Sequence, residues 1–254
     1  MLVEIVALLA LLVVVAVVAR GYPRVTLARK VSLEGIEDPE VVKAYDRISR
    51  MPMFGELRRM FVIELKKHSP AGTLVDVGCG PGYLIAKIAK EIPNLHIIGV
   101  DVSDEMTVTA SRNLASLGFG ERVEFRRGDS LKLPFEDDSV DNIVSTLSLH
   151  HWANPKGAIL EIYRVLKPGG QLLLEDFRRD PRRLFYWLIA FRTKVAPSFL
   201  RTRALRRINE PMGSLLASYT PFELESLMSE TPFAKMSIKA GIGWLFLWGQ
   251  KRDY

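Results

Sequence analysis

The sequence predicts an α/β fold, a doubly wound and mostly parallel sheet of seven strands with helices on both faces. Three observations carry this expectation. From residue 72 onward short apolar runs alternate with amphipathic stretches, the pattern of strands joined by crossover helices. The segment VDVGCGPGYL puts Gly78, Gly80 and Gly82 between the first such run and its helix. The last two runs are joined only by Gly241-Ile242-Gly243, too short for a crossover, so that pair is antiparallel.

The elements follow in order. Asp38-Pro39 places an N-cap before a proline at the first helical position, and this helix runs to about residue 50, where Met51-Pro52 breaks it. A second helix carries Leu57, Phe61 and Leu65 at four-residue spacing and stops before Ser69-Pro70. Residues 73–77 form the first strand and 83–91 its helix, ended by Pro93. After a second strand at 96–101, Ser103 caps a helix with Asp104 and Glu105 in its first turn, where the dipole favours them, and Gly118 ends it. Residues 123–125 and 141–147 are the third and fourth strands. Asn154-Pro155 starts a helix that Pro168-Gly169-Gly170 stops before a fifth strand at 171–175. Thr220-Pro221 opens a last helix to about residue 229, and strands at 235–240 and 244–249 complete the chain.

With 254 residues, 48% of them hydrophobic and 25% charged, the composition is globular and allows a sizeable core. Two stretches depart from it. Residues 2–19 are apolar except for Glu4; at ~1.5 Å per residue against ~30 Å of hydrocarbon they just span a bilayer. A signal peptide wants a positive n-region, which is missing, although Val17-Val18-Ala19 could pass as a cleavage site. A core helix should show a polar face, and residues 5–19 show none. The expectation is an N-terminal transmembrane anchor at 1–19, a linker and cap helices at 20–69, and the main domain at 70–254. Arg20, Arg24, Arg29 and Lys30 follow the span and no Lys or Arg precedes it, which puts the domain on the cytoplasmic side of a single-pass membrane protein. Cys79 is the only cysteine, so no intrachain disulfide forms.

The second stretch, residues 178–207, holds ten Lys/Arg against Asp180 alone, or +9 in a chain whose total is +6, so the remainder carries −3. Its apolar run LFYWLIAF (184–191) leaves no polar face for a groove, so nucleic acid is not an expected partner. Two readings stand. The run and its arginines meet an anionic membrane surface, or the run packs on the domain's own core with the arginines solvated.

A doubly wound sheet binds its ligand beyond the carboxyl ends of the strands, where strand order reverses. The three glycines lie there, and without Cβ atoms such a loop turns sharply and lets a ligand approach; a plain tight turn is the alternative. A Gly-x-Gly-x-x-Gly fingerprint would need glycine where Tyr83 stands, and the Gly-Lys-Ser/Thr of a P-loop is missing too. The spacing Asp76-x-Gly78-x-Gly80-x-Gly82 resembles instead the first motif of the class I S-adenosylmethionine-dependent methyltransferases. The resemblance continues through Asp101 at the end of the second strand, Asp129 in RGDSLKLPF, DNIVSTLSLHHW, and EIYRVLKPGGQLLLEDF (161–177). It covers about residues 70–177, with weaker agreement in TPFELESLM (220–228), and it is similar to the small-molecule branch that includes the ubiquinone and menaquinone biosynthesis enzymes.

This resemblance implies a Rossmann-like methyltransferase fold of strand order 3-2-1-4-5-7-6, with S-adenosyl-L-methionine as cofactor. It implies ribose hydroxyls on Asp101, adenine flanked by Val102 and Met106, and the adenine amino group on Asp129. Asp76, the three glycines, Ser130 and Ser145 complete the implied contacts, and Tyr45 in AYDRIS closes over them from the N-terminal helix. No metal is expected.

Methyl transfer from a sulfonium needs alignment and a dry pocket, and needs a base only when the acceptor is a hydroxyl or an acidic carbon. His150 and His151 directly follow the fourth strand. Either serves as that base, or one packs against the cofactor and the other is structural. Ser145-Thr146-Leu147-Ser148 replaces the Asn/Asp-Pro-Pro-aromatic tetrad of adenine-methylating enzymes, and Cys79 is misplaced for cytosine C5 chemistry. The expected activity is methyl transfer to a small, hydrophobic or lipid-like acceptor at the membrane surface, with residues 178–213 capping the acceptor pocket. The rivals are a catalytically silent, membrane-anchored interaction module that binds the cofactor, and an RNA or protein methyltransferase.

Overall fold

The computed structural model of the protein describes residues 12, 14, 15, 24–31, 37–195 and 212–253. Helix α1 (Pro39–Ser49) starts as its sequence dictates, with Asp38 Oδ1 accepting from the Glu40 N–H at 2.9 Å and proline at the first position. Helix α2 (Pro52–Lys66) follows and buries Phe61, Val62 and Leu65. Tyr45 and Ser49 of α1 and Phe54, Leu57 and Arg58 at the start of α2 reach the glycine loop and the end of β4, while the rest of α2 packs on the sheet.

The sheet contains β1 (Thr73–Val77), β2 (His96–Asp101), β3 (Val123–Arg127), β4 (Val140–Thr146), β5 (Leu166–Phe177), β6 (Lys235–Ala240) and β7 (Trp244–Gln250). Their order is β3-β2-β1-β4-β5-β7-β6, with β7 antiparallel to both neighbours and the other pairs parallel. Helices α3 (Tyr83–Glu91), α4 (Asp104–Ser116), α5 (Pro155–Val165) and α8 (Pro221–Ser229) connect them. The expected cap is present, with Ser103 Oγ accepting from Met106 N–H, and the two expected helix starts prove to be capped as well: Asn154 Oδ1 accepts from Gly157 N–H, and Thr220 with Glu223 forms a capping box.

Alternate residues of the strands feed two cores, because successive side chains point to opposite faces. Val75, Ile143, Leu172 and Leu247 pack with Ile159 and Ile162 of α5 and Leu224 of α8. Leu74, Val144, Leu173 and Phe246 pack on the other side with Phe61 of α2 and Ile85 and Ile88 of α3. Strand order reverses between β1 and β4, which fixes where a ligand crevice opens.

Strand β5 is longer than its apolar core suggested. Its first residue, Leu166, pairs with Val140, and the register then shifts so that Gln171 pairs with Asn142, carrying Pro168-Gly169-Gly170 through an irregular stretch. Proline cannot donate to the ladder there.

The insertion after β5 holds two helices that the sequence reading did not assign, α6 (Arg183–Val195) and α7 (Met212–Ala217); residues 196–211 lie outside the described set. The apolar run of α6 is split between two faces. Phe185, Tyr186 and Ile189 pack with Phe177, Leu215, Leu147 and Leu27, whereas Trp187, Leu188 and Phe191 are 64%, 57% and 64% exposed. The ten basic residues are not uniformly at the surface either. Arg178 is buried on Asp180, and Arg179 is buried on Glu223 and the carbonyls of Leu27 and Ser218. A count of charges along the chain therefore overstates the positive surface of this segment.

Residues 24–31 lie along the base of the insertion. Val25 N–H donates to Pro181 O at 3.1 Å, Lys30 N–H to Leu216 O at 3.0 Å, and Arg29 Nε to Ala217 O at 2.8 Å. No helix among the described residues is long and apolar enough to cross a membrane. The anchor expected at residues 1–19 lies outside the described set, apart from Leu12, Val14 and Val15, which are helical and exposed.

Candidate cofactor and active site

Two adjoining cavities open at the carboxyl ends of β1, β2 and β4 and share Tyr45, Gly78, Gly80, Thr146 and Leu147. The larger is about 370 Å³, within the size range of small-molecule sites. At one end Val102, Met106, Asp129, Ser130 and Leu131 face it; at the other are Leu147, Ser148, His151 and Trp152.

The glycine loop shapes the floor. Gly78, Gly80 and Gly82 have φ of 74°, 51° and 83°, which glycine alone adopts without penalty. Their surroundings differ. A Cβ on Gly78 would stand 2.2 Å from Ser148 Oγ, so this glycine lets β1 pass close under the turn after β4. A Cβ on Gly82 would press on Leu114 at 2.9 Å, so that glycine seats α3 on α4 and does not line the cavities. At Gly80 the nearest atom is Tyr45 Cε1 at 3.9 Å, and the space a Cβ would fill belongs to the cavity.

Asp101 joins the loop to the cavity. Its Oδ2 accepts from Gly80 N–H at 2.9 Å and its Oδ1 from Ser103 N–H at 3.0 Å. Burial pushes its pKa up while the backbone donors favour the charged form. A carboxylate offers about four lone-pair sites, so the oxygens that brace the loop keep capacity for hydroxyl groups in the cavity it lines. Asp129 Oδ1 accepts from Leu131 N–H at 2.9 Å, an Asx turn that presents its carboxylate at the rim.

Three other expected residues sit elsewhere. Asp76 is 1% exposed beneath the loop, borders neither cavity, and is pushed up to about 8, first by burial and then by the charge of Asp101. Ser145 is buried in β4 with an unpartnered Oγ and likewise borders neither cavity. His150 is 1% exposed; its Nδ1 lies 2.7 Å from Asp176 Oδ1 and its N–H donates to Asp176 Oδ2 at 3.0 Å. The two histidines therefore have different places. His150 is clamped to β5, and His151, its ring tilted by 49° against that of His150 with centroids 4.0 Å apart, faces the larger cavity.

Several lining residues escaped the sequence reading. Leu147, directly after β4, has φ 53°, a conformation unfavourable for a branched residue and held by its N–H bond to Glu175 O at 2.9 Å. Trp152 donates from Nε1 to Ser148 Oγ at 3.1 Å and walls the acceptor end. Arg58 and Glu175 border the smaller cavity, about 60 Å³, from opposite elements. No motif announced them, because a helix residue and a strand residue distant in sequence meet only through the fold. No group of residues able to hold a metal ion occurs among the described residues.

The profile of the methyltransferase domain family matches residues 75–174. The ubiquinone/menaquinone biosynthesis C-methyltransferase UbiE of Geotalea daltonii is 30% identical over 154 residues, covering 59% of this chain and 66% of that protein. The demethylmenaquinone methyltransferase of Thermus thermophilus is 30% identical over 148 residues, covering 58% of this chain and 66% of that one. The biotin biosynthesis bifunctional protein BioHC of Teredinibacter turnerae is 30% identical over 169 residues, 63% of this chain but 28% of its own length. This chain thus spans no more than 66% of these three curated relatives. Among solved structures, a SAM-dependent methyltransferase from Aquifex aeolicus superposes with a TM-score of 0.58 at 22% identity, covering 84% of this chain and 98% of that one. The Haemonchus contortus phosphoethanolamine N-methyltransferase 2, bound to S-adenosylhomocysteine, gives 0.61 at 16% identity over 85% of this chain and 58% of that one. These two share the fold. Residues 75–174 match the methyltransferase domain family, the chain resembles the ubiquinone/menaquinone biosynthesis methyltransferases, and these likenesses support S-adenosyl-L-methionine as its cofactor.

Proposed function

We propose that this protein transfers a methyl group from S-adenosyl-L-methionine to a small hydrophobic acceptor of the quinone type, met at a membrane surface. The observation that carries the reading is the division of the larger cavity. Its adenosine-compatible end offers Asp101, Asp129 and the apolar walls of Val102, Met106 and Leu131, while its far end offers Leu147, Trp152 and one histidine. The residues fit the cofactor on structural grounds: a glycine whose missing Cβ leaves space open to the cavity, and a braced carboxylate lining the same space.

When bound, the cofactor supplies an activated methyl group. Asp101 and Asp129 hold and orient the nucleoside, and Gly80 allows close approach. Leu147 and Trp152 exclude water at the acceptor end. His151 faces that end and accepts the proton of a phenolic hydroxyl or acidic ring carbon as the methyl bond forms. Relatives named for ubiquinone/menaquinone biosynthesis and as demethylmenaquinone methyltransferases favour an aromatic ring acceptor over an amine.

The membrane part of the reading is supported by two features of one end of the molecule. Helix α6 exposes Trp187, Leu188 and Phe191, aromatic and aliphatic side chains suited to the headgroup boundary. Residues 24–31, which follow the expected anchor, are hydrogen-bonded to the segments flanking that helix, at Pro181, Leu216 and Ala217. An anchor at 1–19 would leave the domain beside α6, with the inner face of α6 packed on Leu147 of the cavity wall. The test is incubation of the full-length protein with methyl-labelled S-adenosylmethionine and a membrane lipid extract, then mass analysis. Label in an apolar aromatic species, absent with Asp101→Ala, is expected. Label confined to RNA or protein fractions would contradict the reading.

A further inference from the structure

We infer that residues 24–31 form a strap that positions the acceptor end of the larger cavity, with Leu27 and Arg29 as its positioning residues; this rests on the reading of that end proposed above, around Leu147, His151 and Trp152.

Val25, Leu27 and Arg29 are half-buried, whereas Arg24, Thr26, Ala28 and Lys30 are exposed, the alternation of an extended chain lying on a surface. Bonds fix the strap along its length. Val25 N–H donates to Pro181 O at 3.1 Å and Arg24 Nη1 to Asp180 O at 3.0 Å. In the middle Arg179 Nε donates to Leu27 O at 2.9 Å. At the far end Lys30 N–H and Arg29 Nε reach the carbonyls of Leu216 and Ala217. Those residues end α7, and the last carbonyls of a helix have no partner within it. The Arg29 guanidinium also lies 4.2 Å from the centre of the Tyr219 ring.

Two routes lead from the strap to the acceptor end. Leu27 and Leu147 pack on one cluster, that of Phe177, Ile189 and Leu215. Leu147 lines the cavity at a φ of 53°, and a residue in that region stays there only when its surroundings hold it. The second route runs through α7, which packs against the turn Leu149–His151 and so backs the histidine that faces the cavity. The nucleoside end is held differently. Asp101 is fixed by Gly80 and Ser103, and Asp129 by Leu131, all from the loops after β1, β2 and β3. The strap therefore serves one end of the cavity. Strap and α7 both lie outside residues 75–174, the part that matches the methyltransferase domain family, so this chain's own additions shape what its acceptor end receives.

The test uses the full-length protein in detergent, with 2-methyl-1,4-naphthoquinone as an apolar ring probe in the presence of S-adenosylhomocysteine. Calorimetry on Leu27→Ala and Arg29→Gln should show the quinone weakened by at least about fivefold and S-adenosylhomocysteine within about twofold of wild type. Leu27→Met, which keeps the volume, should restore quinone binding. Magnetic resonance supplies a readout that needs no probe: the Leu147 methyl signals should move in Leu27→Ala, and the His151 ring signals in Arg29→Gln. Unchanged quinone affinity in both variants overturns the strap's role, as does equal weakening of both ligands, which marks a purely structural contact. Wild-type protein that binds S-adenosylhomocysteine and not the quinone instead overturns the ring-acceptor reading. The Leu147 and His151 signals then decide the strap's role alone: shifts in the variants support it, and signals that stay in place overturn it.

Discussion

His151 faces the larger cavity while His150 is clamped by two bonds to Asp176, and adjacent residues of one type therefore carry different expectations. His151→Gln should lower turnover by about 10²–10⁴-fold with cofactor binding intact. His150→Gln should chiefly lower the melting temperature, because it disturbs a buried contact that seats the turn (Leu149–His151). Equal rates for His151→Gln and wild type would remove the base from the mechanism. Asp76 gives a second prediction at this scale. Its pKa is raised from the usual carboxylate value to about 8 in the folded protein, so the folded state holds a proton that the unfolded chain gives up. Stability is then greatest below the unfolded pKa near 4 and falls as pH rises towards 8. Asp76→Asn should flatten that decline in denaturant titrations at pH 5, 6.5 and 8; a wild-type and variant pair with parallel pH profiles would refute the assignment. The sequence made these residues visible as types at meaningful positions. It could not show side-chain direction, which put Asp76, Ser145 and His150 under the site and His151 against it.

Elements were legible where local chemistry sets them. Asp38, Ser103, Asn154 and Thr220 cap the helices that their positions announced, and the Gly241-Ile242-Gly243 turn joins an antiparallel pair. Elements set by tertiary contacts were not legible. The LFYWLIAF run shows no polar periodicity because one side of α6 lies on Phe177 and Leu215 and the other is exposed. Two of the arginines that appeared to belong to a basic surface instead serve the interior. Arg179 ties together Leu27 of the linker, Ser218 after α7 and Glu223 of α8. Removing it leaves two carbonyls without this donor and Glu223 with only its Thr220 bonds, a cost of about 2–3 kcal/mol once the exposure of Glu223 is discounted. In a chain of this size Arg179→Ala should lower the melting temperature by roughly 4–12 °C and free residues 24–31 to early proteolysis. A variant as stable and as protease-resistant as wild type would show that the linker is held by other contacts.

At the scale of the whole molecule, the exposed aromatic face of α6 and residues 24–31 belong to one insertion, whose inner side packs with Leu147 of the cavity wall. Residues 24–31 belong to the folded domain, so a soluble fragment should begin at residue 24 to keep their bonds to Pro181, Leu216 and Ala217. Such a fragment should float with anionic vesicles at low salt, release as ionic strength rises, and lose binding when Trp187 and Phe191 become Ser. A fragment indifferent to anionic vesicles would separate the insertion from the membrane. All of this depends on the cavity holding the cofactor through Asp101, whose oxygens brace Gly80 and Ser103 and line the same space. The most direct measurement is calorimetric titration of S-adenosylhomocysteine into the wild type and Asp101→Ala. The hydrogen bonds at stake are charge-assisted, each worth ~1.5–3 kcal/mol, so affinity in the variant should fall at least about tenfold while its circular dichroism stays native. Equal affinities in the two proteins would contradict this placement of the cofactor.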